Sequence, residues 1–220
     1  MDLMTALDTI GIIVFAASGA IQAIQKKMDI FGIFTLATVT AIGGGVIRDV
    51  VINIDLPTFF KRPQYLLFIT LTVLAIIFLR GRLKWQFLFN LFDAIGLAVF
   101  TIQAGMTALS LKLNFMTFLF VSLITAVGGG IIRDVMSKEV PLVLREEVYA
   151  VASILGAVLF WYIHPYLGVT VSAYLCIAFI FILRMVCVIF HLNLPKIPLD
   201  YDENQERTGK VESEIDRHQS

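Results

Sequence analysis

The 220-residue chain is poor in charge. Asp, Glu, Lys and Arg make up only 15% of it, while 58% is hydrophobic. Ordinary soluble domains carry about a quarter charged residues. Mean hydropathy is +0.86. Such a composition excludes a disordered chain and a soluble enzyme of ordinary type. A surplus of positive charge is also missing, since 17 basic residues face 17 acidic ones, which argues against a nucleic-acid partner. Cysteine is nearly absent. Cys176 and Cys187 lie eleven residues apart in one apolar run, a separation of ~16 Å along a helix that no disulfide spans. His164, His191 and His218 are scattered, and no Cys, His or carboxylate group has metal-site spacing. No serine sits in a nucleophile elbow, and no strand precedes a glycine-rich phosphate loop. The reading is an integral membrane protein that is not an enzyme and holds no cofactor.

What the chain has in abundance is long apolar runs. A helix crossing ~30 Å of hydrocarbon needs roughly 20 such residues. Seven runs qualify, at about 6–24, 30–52, 64–80, 88–109, 114–136, 148–165 and 169–191. Trp161 and Tyr162 suit an interfacial anchor, and Arg184 in the last run suits a side chain snorkelling to the interface. From Pro195 the composition flips to 4 basic and 7 acidic residues, leaving 13 and 10 in the membrane body. That tail reads as disordered and solvent-exposed.

The sequence repeats itself at an offset of 85. Asp8, Ile10, Gly11, Val14 and Phe15 recur as Asp93, Ile95, Gly96, Val99 and Phe100, and Lys27 recurs as Lys112. Thr40-Ala41 recurs as Thr125-Ala126, and the string GGGVIRDV at 43–50 recurs as GGGIIRDV at 128–135. After a one-residue deletion, Pro57 matches Pro141 and Tyr65 matches Tyr149. The first run, with Ala17-Ser18-Gly19-Ala20 near its end, could pass for a signal peptide. It carries Asp2 and Asp8 where a basic segment belongs, and it is a copy of the internal fourth run, so it reads as a retained helix. Three spans per copy is an odd number, so the second copy enters the membrane from the opposite side. The expected fold is all-α, with seven transmembrane helices in an inverted 3+3 repeat plus a seventh helix. Its parts are residues 1–84, 85–167, 168–194 and the tail 195–220.

Loop charges orient this fold. Lys26, Lys27, Arg80, Arg82, Lys84, Lys138 and Arg145 fall on one side, against Lys61, Arg62 and Lys112 on the other. Seven against three predicts an outside N-terminus and a cytoplasmic C-terminus, Glu139, Glu146 and Glu147 counting little.

Three consecutive glycines in a membrane helix cost roughly 1 kcal/mol each relative to alanine. Gly43, Gly44 and Gly45, and their copies Gly128, Gly129 and Gly130, lie near the expected midplane. Bent or unwound backbone there is tolerated where protein or a wet cavity covers it. The alternative is that the glycines serve close helix packing. Arg48 and Arg133 follow the triplets, each beside an aspartate, Asp49 or Asp134. Adjacent positions on a helix do not face each other, so Asp8 and Asp93 are the expected charge partners. These arginines read either as structural salt bridges or as a charged gate beside an aqueous path. Asp8 and Asp93 read alternatively as helix caps. Ser18, Gln22, Thr40, Thr101, Gln103 and Thr125 are candidate pore-lining or interhelical groups, while for Thr38, Thr40, Ser122 and Thr125 the alternative is a bond to their own backbone.

These two octapeptides, with KEVPLVLREEVYA at 138–150, resemble bacterial members of the trimeric intracellular cation (TRIC) channel family over about residues 5–190. The resemblance implies a homotrimer in the bacterial inner membrane, with one potassium-permeable pore per protomer. It makes Gly43–Gly45 and Gly128–Gly130 kink and pore positions, and Arg48 and Arg133 pore-facing charges. Bacterial chains of this pattern are also labelled glycine transporters. The expected function is therefore a monovalent-cation channel passing K+ or Na+ along an hourglass path, in contact with membrane lipids. The alternatives are a secondary transporter of glycine or a similar zwitterion, and a structural protein with packed glycines.

Overall fold

The structure, a computed structural model, describes residues 2–79, 85–145 and 148–190. The tail from Pro195, the loop charges Arg80, Arg82 and Lys84, and Glu146, Glu147, His191 and His218 lie outside the described residues. Those described form nine helices: α1 (Leu3–Gln25), α2 (Ile30–Val51), α3 (Thr58–Lys61), α4 (Gln64–Phe78), α5 (Trp85–Ser110), α6 (Phe115–Met136), α7 (Leu142–Arg145), α8 (Val148–Leu167) and α9 (Val169–Phe190). Six of them, α1, α2, α5, α6, α8 and α9, are long and apolar enough to cross a membrane. The third expected span corresponds to α4, whose 15 described residues rise only ~22 Å.

Local chemistry sets the helix ends. Asp2, Asp29 and Asn114 are N-caps, their side-chain oxygens accepting from the amides of Thr5 (3.3 Å), Gly32 (2.7 Å) and Thr117 (3.0 Å). At the other ends Lys27, Asn53, Lys112 and Lys138 adopt left-handed φ of 54–59°. That turn lets the next amide reach back to a free carbonyl: Met28 to Ala23, Ile54 to Asp49, Leu113 to Ala108 and Glu139 to Asp134. These caps recur at the offset of 85, so the repeat extends to backbone conformation.

Helices α1 and α5, which are counterparts in the repeat, run antiparallel. The C-terminal end of α1 and the N-terminal end of α5 share one cavity, lined by Gln22, Lys26 and Gln86. At the far end Met4 of α1 meets Thr107 of α5. These two helices are the centre of the bundle, with 67% of their apolar windows buried against 28% for α9. Their contact is made by Phe15 and Phe100, packed edge-on with centroids 5.1 Å apart. Each ring lies over the other helix's glycine, Phe15 on Gly96 and Phe100 on Gly11, so that a methyl group at either glycine would overlap the ring. Outside this core, Leu66, Leu67, Leu71, Leu74 and Phe78 of α4 form an exposed apolar face.

Three expectations need correction. Asp8 and Asp93 are not caps: α1 begins at Leu3 and α5 at Trp85, which leaves both carboxylates inside their helices and buried. Arg184 does not snorkel; it is 3% exposed, its guanidinium 4.7 Å from the Tyr149 ring centre. Most important, α2 and α6 run unwound nowhere, remaining helical through both glycine triplets.

Candidate permeation site

The triplets bring two backbones together. A Cβ on Gly44 would sit 2.0 Å from the Thr125 carbonyl oxygen, and one on Gly129 would sit 2.3 Å from that of Thr40. A Cβ on Gly128 would lie 3.2 Å from the Gly44 Cα, and one on Gly43 only 3.6 Å from the Gly129 Cα. Helices α2 and α6 thus cross at the triplets, as small residues allow in membranes. The carbonyls of Thr40 and Thr125 face a glycine of the opposite helix, where the unwound alternative would have bared them. Both threonine hydroxyls donate to their own helix, to Leu36 O and Val121 O, each at 2.6 Å. Thr38 and Thr101 do the same, and Ser18 donates to Phe15 O.

Beyond the crossing, on opposite sides, sit the two Arg–Asp pairs. Each guanidinium folds back on its sequence neighbour, Arg48 Nε donating to Asp49 at 2.7 Å and Arg133 Nε to Asp134 at 2.8 Å. Adjacent positions diverge on a helix, but an arginine is long enough to curl round to its neighbour near the helix end. The other carboxylate oxygen accepts a backbone amide that starts the next short helix, Thr58 of α3 for Asp49 (2.7 Å) and Leu142 of α7 for Asp134 (2.9 Å). The expected distant partners are also present. Arg133 Nη1 donates to Asp93 at 2.6 Å and to Ser18 at 3.1 Å. Arg48 Nη1 donates to Gln103 and lies 3.9 Å from Asp8. Ser18 and Gln103 are counterparts at the offset of 85, so each half places one uncharged side chain on the other half's arginine.

The clusters differ in exposure to solvent. Arg133 and Asp93 are 0% and 1% exposed, whereas Asp8 is 8% exposed and opens on a cavity of about 150 Å³ that also takes in Arg48, Arg62, Gln103 and Thr107. On the other face a polar cavity of about 250 Å³ ends on Asp134 and is rimmed by Gln22, Lys26, Gln86, Glu139 and Arg145. Gln22 donates to Ser137 at 3.0 Å, and Lys26 pairs with Glu139 across the mouth. The bond from Lys26, followed by its charge, holds the Glu139 carboxyl below the ordinary glutamate value.

Sequence reasoning missed Tyr65, Tyr149 and Arg184 as parts of these clusters. Arg62 donates to Thr5 (2.8 Å) and to Tyr65 (3.1 Å), and Arg184 covers Tyr149. The signal was in the chain, since Tyr65 and Tyr149 repeat at the same register as the prolines.

Such an arrangement defines an integral membrane helical bundle with an antiparallel central pair, α1 and α5, and a glycine crossing between α2 and α6. A family model described as glycine transporter matches residues 5–81 and, separately, 90–165, once per copy. The inner membrane protein YadS of Escherichia coli is 37% identical over 204 residues, covering 88% of this chain and 96% of that one. The membrane protein YvgT of Bacillus subtilis is 36% identical over 192 residues, 86% and 94% of the two chains. Among solved structures, a prokaryotic TRIC channel crystallised in 0.5 M KCl superposes with a TM-score of 0.83 at 32% identity, over 87% of this chain and 98% of that one. The trimeric intracellular cation channel orthologue of Rhodobacter sphaeroides does so at 0.82 and 29%, over 87% and 100%. The chain belongs to this family, the bacterial TRIC or glycine-transporter family.

Proposed function

We propose that the chain is a monovalent-cation channel of the inner membrane, permeable to K+ or Na+. The protein is a homotrimer with one hourglass pore per protomer. In this reading the two copies form an inverted repeat, α4 completes a set of seven spans, and the N-terminus is outside. The path runs from the cavity of Arg48 and Gln103, through the α2–α6 crossing, to the cavity of Asp134 and Gln22. One observation carries the proposal: two cavities at opposite ends of the bundle reach the two Arg–Asp clusters, at Asp8 and Arg48 in one and at Asp134 in the other, and α2 and α6 cross backbone to backbone at the glycine triplets. Arginines beside a cation path would repel the ion, but here Arg48 and Arg133 are each matched by carboxylates. Conduction requires the crossing to part, and glycine's lack of a side chain lets α2 bend there with little steric resistance.

Purified protein in a planar bilayer, with potassium on one side and sodium on the other, is expected to give unitary cation currents. Replacing Gly44 or Gly129 by leucine abolishes them and leaves the trimer intact. Silence in the bilayer together with saturable glycine uptake into liposomes would replace the channel by a transporter.

A further inference from the structure

Three buried polar side chains of the second copy meet at one place with hydrogen-bonding capacity unused. Asp93 Oδ2, Arg133 Nη2 and the Tyr149 hydroxyl have no hydrogen-bond partner among the described residues, and their side chains are 0–1% exposed. Buried polar atoms in folded proteins are almost always partnered, so a group of three such atoms calls for a ligand. They gather beside Gly130, the last glycine of its triplet. The Tyr149 hydroxyl, Arg133 Nη2 and Asp93 Oδ1 stand 3.3, 3.6 and 4.0 Å from the point a Cβ would occupy. Asp93 Oδ1 already accepts from Arg133 Nη1, while Oδ2 on the same carbon accepts from nothing described.

This glycine is not used as its neighbour is. The atom nearest a Cβ on Gly44 or Gly129 would be a carbonyl oxygen of the opposite helix, but the three nearest one on Gly130 are these polar side-chain atoms. Helix crossing therefore does not account for it. The first copy shows what the place can hold. Asp8, Gly45, Arg48 and Tyr65, the counterparts of Asp93, Gly130, Arg133 and Tyr149, line one cavity of about 20 Å³, which is room for a single water. There the need is smaller, since Tyr65 accepts from Arg62 and Asp8 also opens on the larger cavity.

The three atoms define the ligand. A guanidinium nitrogen only donates, a carboxylate only accepts, and a phenol does either. A cation cannot accept from Arg133, and an anion is repelled by Asp93. A small neutral molecule that both donates and accepts suits all three.

We infer that a buried water is bound beside Gly130, accepting from Arg133 Nη2, donating to Asp93 Oδ2 and taking the Tyr149 hydroxyl as its third partner. It ties Tyr149 of α8 into the Arg133–Asp93 pair of α6 and α5. Phe89, whose ring centre lies 4.6 Å from Arg133 Cζ, lines the polar cavity together with Asp134, so the water has a source one side chain away. The site does not depend on the chain's conducting ions.

A crystal structure of the unaltered chain, at a resolution that shows ordered water and with Tl+ in place of K+, tests this directly. The expected result is a peak without anomalous signal, ~2.6–3.2 Å from Arg133 Nη2, the Asp93 carboxylate and the Tyr149 hydroxyl. An anomalous thallium peak there would make the ligand a cation and overturn the inference. So would the lack of any peak, with the Tyr149 hydroxyl donating straight to Asp93 or not. In Gly130→Ala the peak should vanish, and a peak that stays where it was overturns the placement beside Gly130. In nanodiscs Gly130→Ala should melt several degrees below the unaltered chain while Gly45→Ala does not; equal melting of the two would also overturn it. The unaltered crystal decides the question even if Gly130→Ala fails to fold.

Discussion

Gly44 and Gly45 are neighbours in one triplet, yet alanine should act on them with opposite sign. At Gly44 the new methyl would stand 2.0 Å from the Thr125 carbonyl oxygen, more than 1 Å inside ordinary contact, which begins at 3.4 Å. The clashing atom is backbone and cannot rotate away, so α2 and α6 must separate. Overpacking of this kind costs about 1–3 kcal/mol and at times more, and the helix-propensity gain of about 1 kcal/mol offsets only part of it. At Gly45 the nearest atom is Arg48 Nη2 at 4.0 Å, so only the gain of about 1 kcal/mol remains. Gly129, facing Thr40 O at 2.3 Å, should follow Gly44. Thermal unfolding in nanodiscs reads the stability, and bilayer recording reads the current. The expected order is Gly45→Ala at or above the unaltered protein, with Gly44→Ala and Gly129→Ala several degrees below it and altered in conduction. Equal melting of Gly44→Ala and Gly45→Ala would refute the crossing as described, because no propensity argument separates the two positions.

Other consequences follow from the clusters and the core. Arg133→Gln leaves two buried carboxylates and should cost about 3–5 kcal/mol in denaturant or thermal unfolding, clearly more than Arg48→Gln, since Asp8 opens on a cavity. Phe15→Ala empties the contact among Gly96, Phe100 and Gly129 and should cost about 3–5 kcal/mol by the same measurement. The Glu139 carboxyl is held below its ordinary value of 4.5 by Lys26. The sign follows: a lowered folded value stabilises above pH 4.5, and that contribution is lost as pH falls through the folded value. Lys26→Met should therefore raise the Glu139 titration midpoint in carboxyl-carbon NMR, and an unchanged midpoint would remove the pair from the cavity mouth.

Much of this architecture is legible in the chain alone. Apolar run length locates six spans to within a few residues, because leaving hydrocarbon with unpaired backbone is too costly to be ambiguous. Asp8 and Asp93 as charge partners of the arginines follow as well, because a buried guanidinium needs a carboxylate and few are available; the packing of α1 on α5 does not. The roles of Asp8 and Asp93 as caps do not survive, since α1 and α5 extend further toward their N-termini than their apolar runs. The bond from each arginine to its own neighbour escapes the periodicity argument. A rule for residues projecting from a helix cylinder does not cover a long side chain folding back at its end.

By itself, then, the sequence determined that the chain lives in a membrane, that it is built twice, and that two Arg–Asp pairs follow two glycine triplets. Those are matters of composition and register along one chain. Only the tertiary structure decided what the glycines do, which is to let α2 and α6 touch backbone to backbone instead of unwinding. It also decided that Asp8 opens on a cavity while its counterpart Asp93 is buried beside Arg133. The physical reason is that a carbonyl facing a glycine, or an arginine over a ring, is a contact between segments far apart in sequence. Its existence depends on how helices cross, and helical periodicity carries no record of that.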